Sequence, residues 1–317
     1  MRALIIRFVY RLILGLILIL PINSYAQIMI PPGKFVLFEE HRLYYYCRGS
    51  GSPSVLIDGG IGDSSANWLP IQAVLSKHLK VCIYDRGGYG MSDPGPGERT
   101  TKQIVRELYR LLKIAEIPGP YIIVGQSFGG FTAQYFAKKF PNETAGLVLV
   151  DSSHPLQVQH LEDLDLYSRE ERTLVTGRDE NKTGDIGVWQ KQWHMLNSRR
   201  KAVFAQMDEL KYFEQSAEEV QAAGTIPDIP LLVLTRDKRL LPTMDNGHSM
   251  EDVWRDMQAD LVNSSEKGSQ RIVEDSGHNI HIDAPQAIID ENRERLVDSE
   301  AKREKVTEAL ERVKSFG

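Results

Sequence analysis

Residues 121–136, YIIVGQSFGGFTAQYF, place a serine between two glycines at the junction of two different sequence patterns. The run before the first glycine is β-prone and apolar, whereas the residues from Phe128 onward are typical of a helix. Gly125 and Gly129 leave room for a tight turn and for a close approach of the strand to the helix. The stretch therefore predicts a strand, a sharp turn that exposes the Ser127 hydroxyl, and a helix.

Strand-like runs alternate with amphipathic, helix-like runs along the rest of the chain. Two β-rich runs joined by four polar residues, KFVLFEEHRLYYYC at 34–47, predict a hairpin. Several of the remaining runs are continuously apolar, as expected for strands that are covered on both faces. Six such strand candidates follow the hairpin, at 54–58, 81–84, 121–124, 147–150, 230–234 and 271–274. The pattern predicts an α/β fold, with an eight-stranded, mostly parallel sheet and helices on both of its faces.

The composition of the chain excludes several classes of function. Of its 317 residues, 42% are hydrophobic and 26% are charged, which is ordinary for a soluble globular protein. The formal net charge is −5, and no stretch combines dense Lys and Arg with aromatic residues, so nucleic-acid binding is not predicted. No Cys/His cluster has the spacing of zinc ligands. We expect a small-molecule substrate and neither a metal nor another cofactor.

The first 26 residues have the pattern of a secretory signal peptide. Three arginines precede the apolar run at 12–20, and the small residues Ser24 and Ala26 precede the expected cleavage site. The run is shorter than the roughly 20 apolar residues that a membrane-spanning helix needs. We expect an exported protein, periplasmic or secreted, that starts near Gln27; an uncleaved N-terminal membrane anchor is the alternative.

The chain has two cysteines, Cys47 and Cys82, and both fall on predicted strands. Export would permit a disulfide between them, because disulfides persist in oxidising compartments. A free thiol is nevertheless the commoner state of a cysteine on a buried strand. The sequence leaves the pairing open and favours free thiols.

Residues 156–225 interrupt the alternation of strands and helices. They are polar, rich in helix formers and without a good strand, so they form an insertion into a core made of 27–155 and 226–317. An insertion at the carboxyl edge of a parallel sheet lies above the ligand crevice, which predicts a helical lid. Its Trp189 and Trp193 either line a substrate pocket or pack the lid onto the body.

A serine hydroxyl is a weak nucleophile until a base removes its proton, so a base is expected on a later loop. His278 follows the last predicted strand in the sequence Ser-Gly-His, with a predicted helix shortly after it. His281 lies three residues further on and is the nearest rival. We predict that His278 is the base and that His281 is a core or solvated residue.

Four motifs, each at the end of a predicted strand, together resemble the α/β-hydrolase family over roughly residues 35–297. In chain order they read DGGIGDSSANW (58–68), YDRGGYGMSDPG (84–95), GQSFGG (125–130) and EDSGHNIHIDAPQ (274–286). The GQSFGG motif lies between a predicted strand and a predicted helix, which is the strand–turn–helix setting of a nucleophile elbow. The YDRGGYGMSDPG motif resembles a structural turn of that family and supports the fold.

The resemblance implies a serine hydrolase that works through an acyl-enzyme, with Ser127 as nucleophile and His278 as base. The oxyanion donors would be the backbone N–H groups of Phe128 and Ile61. The family usually has His-Gly before the apolar residue, and this chain has Gly59-Gly60, but only a backbone N–H is required. Carboxylic ester hydrolysis is the first choice. Peptidase, lactonase or acyltransferase activity on the same residues, or a non-catalytic ligand-binding role, are the alternatives.

The acid of the triad has two candidates in this sequence. In most of the family it follows the seventh strand, where this chain has Asp237, about two residues earlier than usual. In a minority it comes from the end of the sixth strand, where Asp151 follows four apolar residues. We predict Asp151, with Asp237 as the alternative.

Overall fold

A computed structural model describes residues 32–161, 198–241, 243 and 249–290. The predicted signal peptide or anchor, and the two tryptophans Trp189 and Trp193, lie outside the described residues. None of the helices described is both long enough and apolar enough to cross a membrane.

The eight strands form one sheet in the order β1-β2-β4-β3-β5-β6-β7-β8. β2 pairs antiparallel with both β1 and β4, and all the other pairs are parallel. The predicted eight-stranded, mostly parallel sheet is therefore confirmed. The strands are β1 (Lys34–Phe38), β2 (His41–Arg48), β3 (Ser54–Asp58), β4 (Lys80–Tyr84), β5 (Tyr121–Gln126), β6 (Thr144–Val150), β7 (Leu231–Arg236) and β8 (Gly268–Val273).

Helices cover both faces of the sheet, as β6 illustrates. Successive residues of a strand point to opposite faces. Leu147 and Leu149 join one buried cluster, whereas Val148 and Val150 join a second cluster on the other face. The described α-helices are α1 (Leu69–Leu75), α2 (Thr101–Ile114), α3 (Gly129–Lys139), α4 (Gln157–Leu161), α5 (Arg200–Lys211), α6 (Phe213–Ala222), α7 (Met250–Val262) and α8 (Ile280–Asp283).

The two cysteines are joined by a disulfide, so the preference for free thiols is wrong. Cys47 on β2 and Cys82 on β4 are direct partners in the antiparallel register, with their Cα atoms 4.1 Å apart. Directly opposed residues of an antiparallel pair have their side chains on the same face. The disulfide depends on the pairing of β2 with β4, which the sequence of neither strand alone predicts.

The described part of the insertion between β6 and β7 holds helices α4, α5 and α6. α6 packs into the main core, where the ring centroids of Phe213 and Phe131 lie 5.2 Å apart. α5 packs through Ala202 and Ala205 on the buried ring of Tyr89. These helices are thus fixed to the body, while a lid above the crevice stays a prediction.

Candidate active site

Ser127 lies between the end of β5 and the start of α3, where a strand passes almost directly into a helix. Its φ angle of +52° is in the left-handed region, which non-glycine residues adopt at a cost of about 1–3 kcal/mol. The Ser127 N–H donates to the Val150 carbonyl at 3.2 Å, and its own carbonyl accepts from the Ser153 N–H at 3.0 Å. The strained turn is therefore held by the end of β6, the neighbouring strand.

The two glycines that flank the serine have no room for a side chain. A Cβ atom on Gly125 would collide with the backbone of Gly129. A Cβ on Gly129 would collide with the carbonyl groups of Asp58 and Gly59 at the end of β3. The turn can therefore approach both the helix and the loop after β3, as the sequence pattern predicts.

The loop after β3 reaches the serine itself. A Cβ atom placed on Gly60 would lie 3.1 Å from the Cβ of Ser127. The loop that carries Ile61 thus lies beside the turn that carries Phe128, the two residues predicted to supply oxyanion donors. Phe128 also caps the N-terminus of α3, where backbone N–H groups lack partners within the helix.

His278 lies on the loop after β8 and contacts Asp151 directly. The distance from its Nδ1 to the Asp151 Oδ2 is 2.6 Å. The Gln126 side-chain amide, one residue before the serine, donates to the backbone carbonyl of His278 at 3.2 Å. These two bonds attach the loop of the candidate base to the ends of β5 and β6.

Asp151 follows β6, is fully buried and has a φ of +42°. Its Oδ2 accepts from the Arg236 Nη1 at 2.6 Å, and its Oδ1 accepts from the Trp254 indole N–H at 3.0 Å. Burial alone would raise the pKa of this carboxyl. The Arg236 charge and the His278 bond outweigh burial and lower the pKa, so Asp151 is an anion at neutral pH.

The two candidate acids occupy different environments. Asp237 is exposed on the loop after β7, where its backbone carbonyl accepts from the Arg255 guanidinium at 2.7 Å. Arg236, the residue before it, is buried and binds Asp151. The structure therefore brings Asp151 to His278 and leaves the Asp237 side chain in solvent.

The rival histidine is part of the core. The ring of His281 stacks on the Trp68 indole with centroids 4.4 Å apart, and its Nε2 lies 3.6 Å from the Asp63 carboxylate. It is only 4% exposed. Within the ranges that the structure describes, no group of three or more His, Cys, Asp or Glu side chains could hold a metal ion.

Sequence reasoning missed two residues that hold Asp151 in place, Arg236 and Trp254. Arg236 was available as a signal, because it is a cation at the end of an apolar strand, where a buried counter-charge is needed. Trp254 lies 103 residues from Asp151 on the amphipathic helix α7, and nothing local marks its contact.

Known proteins resemble this chain in sequence over much or part of its length. It is 25% identical over 245 residues to the uncharacterized protein YqjL of Bacillus subtilis, an alignment that covers 76% of this chain and 82% of YqjL. A 146-residue segment is 34% identical to an uncharacterized vacuolar membrane protein of Saccharomyces cerevisiae. That segment is 45% of this chain but only 22% of the yeast protein.

Solved structures share the fold. The enol-lactonase of Burkholderia xenovorans LB400 matches with a TM-score of 0.59 at 17% identity, over 83% of this chain and all of that one. A serine hydrolase involved in carbazole degradation matches with a TM-score of 0.63 at 19% identity, over 84% and 98% of the two chains. A sequence model of the α/β hydrolase fold matches residues 53–285. With the strand order, the turn at Ser127 and this match, the chain belongs to the α/β hydrolase fold family.

Proposed function

We propose that this protein is a serine hydrolase that cleaves small carboxylic esters through an acyl-enzyme. Ser127 is the nucleophile, His278 the base and Asp151 the acid of the triad. The observation that carries the proposal is the 2.6 Å contact between His278 and a buried, ionised Asp151, beside a serine on a strained turn. Such a combination supplies an activated nucleophile.

The charge of Asp151 decides the tautomer of the base. An ionised carboxylate can only accept hydrogen bonds, so the His278 Nδ1 carries the proton in this contact. The Nε2 of a neutral imidazole then has a free lone pair and can take the proton of the Ser127 hydroxyl. Asp151 stabilises the imidazolium that results.

The reaction then takes two half-steps. The Ser127 oxygen attacks the ester carbonyl while its proton passes to His278, and the tetrahedral intermediate expels the alcohol, which takes that proton. In the second half, water attacks the acyl-enzyme, His278 takes a proton from the water and returns it to the Ser127 oxygen as the acid leaves. The Ile61 and Phe128 N–H groups stabilise the oxyanion in both halves.

One observation supports acyl substrates, and a second supports export of the protein. A serine nucleophile favours acyl chemistry, whereas an aspartate at position 127 would have favoured dehalogenase or epoxide hydrolase activity. The disulfide between Cys47 and Cys82 supports export, because such bonds persist in oxidising compartments.

Ser127→Ala should lower hydrolysis of a chromogenic short-chain ester by at least about a thousandfold, because loss of a serine nucleophile costs up to ~10⁶ in comparable enzymes. A fluorophosphonate should label the wild-type protein at Ser127, as mapped by mass spectrometry of the digested adduct. Unfolding curves of both proteins serve as the control for folding. Labelling at a different serine would remove Ser127 from the mechanism.

Asp151→Asn should lower kcat by about 10³–10⁴, because the neutral amide no longer holds the base in the required tautomer. Asp237→Asn is the matched control and should cost less than about tenfold, since Asp237 is exposed. Steady-state kinetics of both variants decide between the two acids. An inactive Asp237→Asn beside an active Asp151→Asn would place the acid after β7.

Arg236→Gln should shift the acid limb of the kcat/KM profile to higher pH. The Arg236 charge is a main cause of the lowered Asp151 pKa, so its loss lets burial raise that pKa. The ionised carboxylate is then lost at a higher pH as the solution is acidified. Arg239→Gln removes an exposed cation three residues further on, in the loop after β7, and should leave the limb in place. An unshifted or lowered limb in Arg236→Gln would contradict this assignment.

A further inference from the structure

A buried arginine lies under the loop that carries the proposed oxyanion donor. Arg86 follows β4 and is 3% exposed. Its Nη1 donates to the Gly59 carbonyl at 2.6 Å and to the Asp58 carboxylate at 2.7 Å. Its Nη2 donates to the Gly60 carbonyl at 2.6 Å. One guanidinium therefore holds two consecutive peptide groups directly before Ile61.

The other side of this guanidinium is held by the insertion helix α5. Glu209 is fully buried, and its two oxygens accept from the Arg86 Nε and Nη2, each at 3.0 Å. The Tyr89 hydroxyl donates to the same carboxylate at 2.7 Å and accepts from the Gly62 N–H at 3.1 Å. Glu209 is thus connected to the loop on both sides of Ile61.

This arrangement fixes the direction of one N–H group. In a trans peptide the C=O and the N–H point to opposite sides. The Gly60 carbonyl points to Arg86, so the N–H of Ile61, in the same peptide plane, points away from Arg86. The Tyr89 hydroxyl fixes the next peptide through the Gly62 N–H. Ile61 has little freedom to turn while both bonds are made.

The network uses charges where an apolar core would be sufficient for packing. Burial alone would lower the pKa of Arg86, but the Glu209 and Asp58 charges outweigh it and raise the pKa, so the guanidinium stays charged. Buried ion pairs of this kind contribute little net stability compared with apolar residues of similar volume. Their value here is the fixed direction of the hydrogen bonds that they make.

We propose that Glu209 is a positioning residue for the oxyanion donor at Ile61, acting through Arg86 and Tyr89. Because Glu209 belongs to α5, one side chain of the insertion fixes the loop through its own hydrogen bonds, independently of the other contacts that seat the helix. The inference rests on the proposed function, in which the Ile61 N–H binds the oxyanion. Glu209 touches no reacting atom and acts only through the loop.

The chain offers a matched control on the same helix. The Lys201 ammonium group attaches α5 to the segment after β4, which also carries Arg86 and Tyr89. It donates hydrogen bonds to the carbonyl groups of Gly90 and Ser92. It makes neither of the bonds that fix the 59–62 loop. Lys201→Met therefore weakens the seating of α5 without disturbing Arg86, whereas Glu209→Gln disturbs Arg86 and keeps the side-chain shape.

The test measures kcat and KM for a chromogenic short-chain ester, together with the rate of fluorophosphonate labelling of Ser127. Glu209→Gln should lower kcat and the labelling rate by about 10- to 100-fold, below the ~10²–10³ that loss of a whole donor costs. KM should stay within about twofold, because the lost interaction belongs to the transition state. Lys201→Met should leave all three values within about twofold.

Thermal unfolding shows whether Glu209→Gln is folded. If it is not, Tyr89→Phe is the variant that tests the inference. It removes one hydroxyl, leaves the Arg86–Glu209 pair intact and should lower kcat and the labelling rate by about three- to tenfold. If the folded Glu209→Gln variant keeps wild-type rates, the inference is wrong but the proposed function stands. The same holds for wild-type rates in Tyr89→Phe when Glu209→Gln is unfolded. An equal loss in Lys201→Met would also overturn the inference, since helix seating in general would then be the cause. A wild-type protein that fluorophosphonate does not label would overturn both the inference and the proposed function.

Discussion

The buried Asp151 carboxylate is the interaction on which the candidate site depends. It joins β6 to the loop of His278, to the end of β7 through Arg236 and to α7 through Trp254. An isolated buried carboxylate would take up a proton, and the adjacent guanidinium prevents this by lowering its pKa. The same contacts that keep the charge on Asp151 also hold the candidate base beside the strained turn at Ser127.

A second buried arginine has the corresponding role on the other side of the serine. Arg236 compensates the charge of the buried Asp151, and Arg86 holds the carbonyl groups of the loop after β3. Each is paired with a buried glutamate from a helix outside the sheet, Glu251 from α7 and Glu209 from α5. The two guanidinium groups thus link the surrounding helices to the strand ends from which the site is built.

The sequence predicts what local patterns determine. The turn at Ser127, the eight strands and the position of His278 can be read from apolar runs and the residues that end them. Contacts between distant segments cannot be predicted in this way. The hydrogen bond between Arg86 and Glu209 joins residues that are 123 positions apart, and no feature near either residue marks it. The disulfide between Cys47 and Cys82 was misjudged for the same reason, because it depends on which strands are neighbours in the sheet.

The most direct measurement is a crystal structure of the protein after reaction with a fluorophosphonate, whose phosphonyl oxygen imitates the oxyanion. The proposed site predicts a covalent bond from phosphorus to the Ser127 Oγ. It also predicts the phosphonyl oxygen within about 3 Å of the Ile61 and Phe128 nitrogen atoms, and His278 still bound to Asp151. A phosphonyl group on another residue, or one whose oxygen contacts neither N–H, would contradict the proposed site.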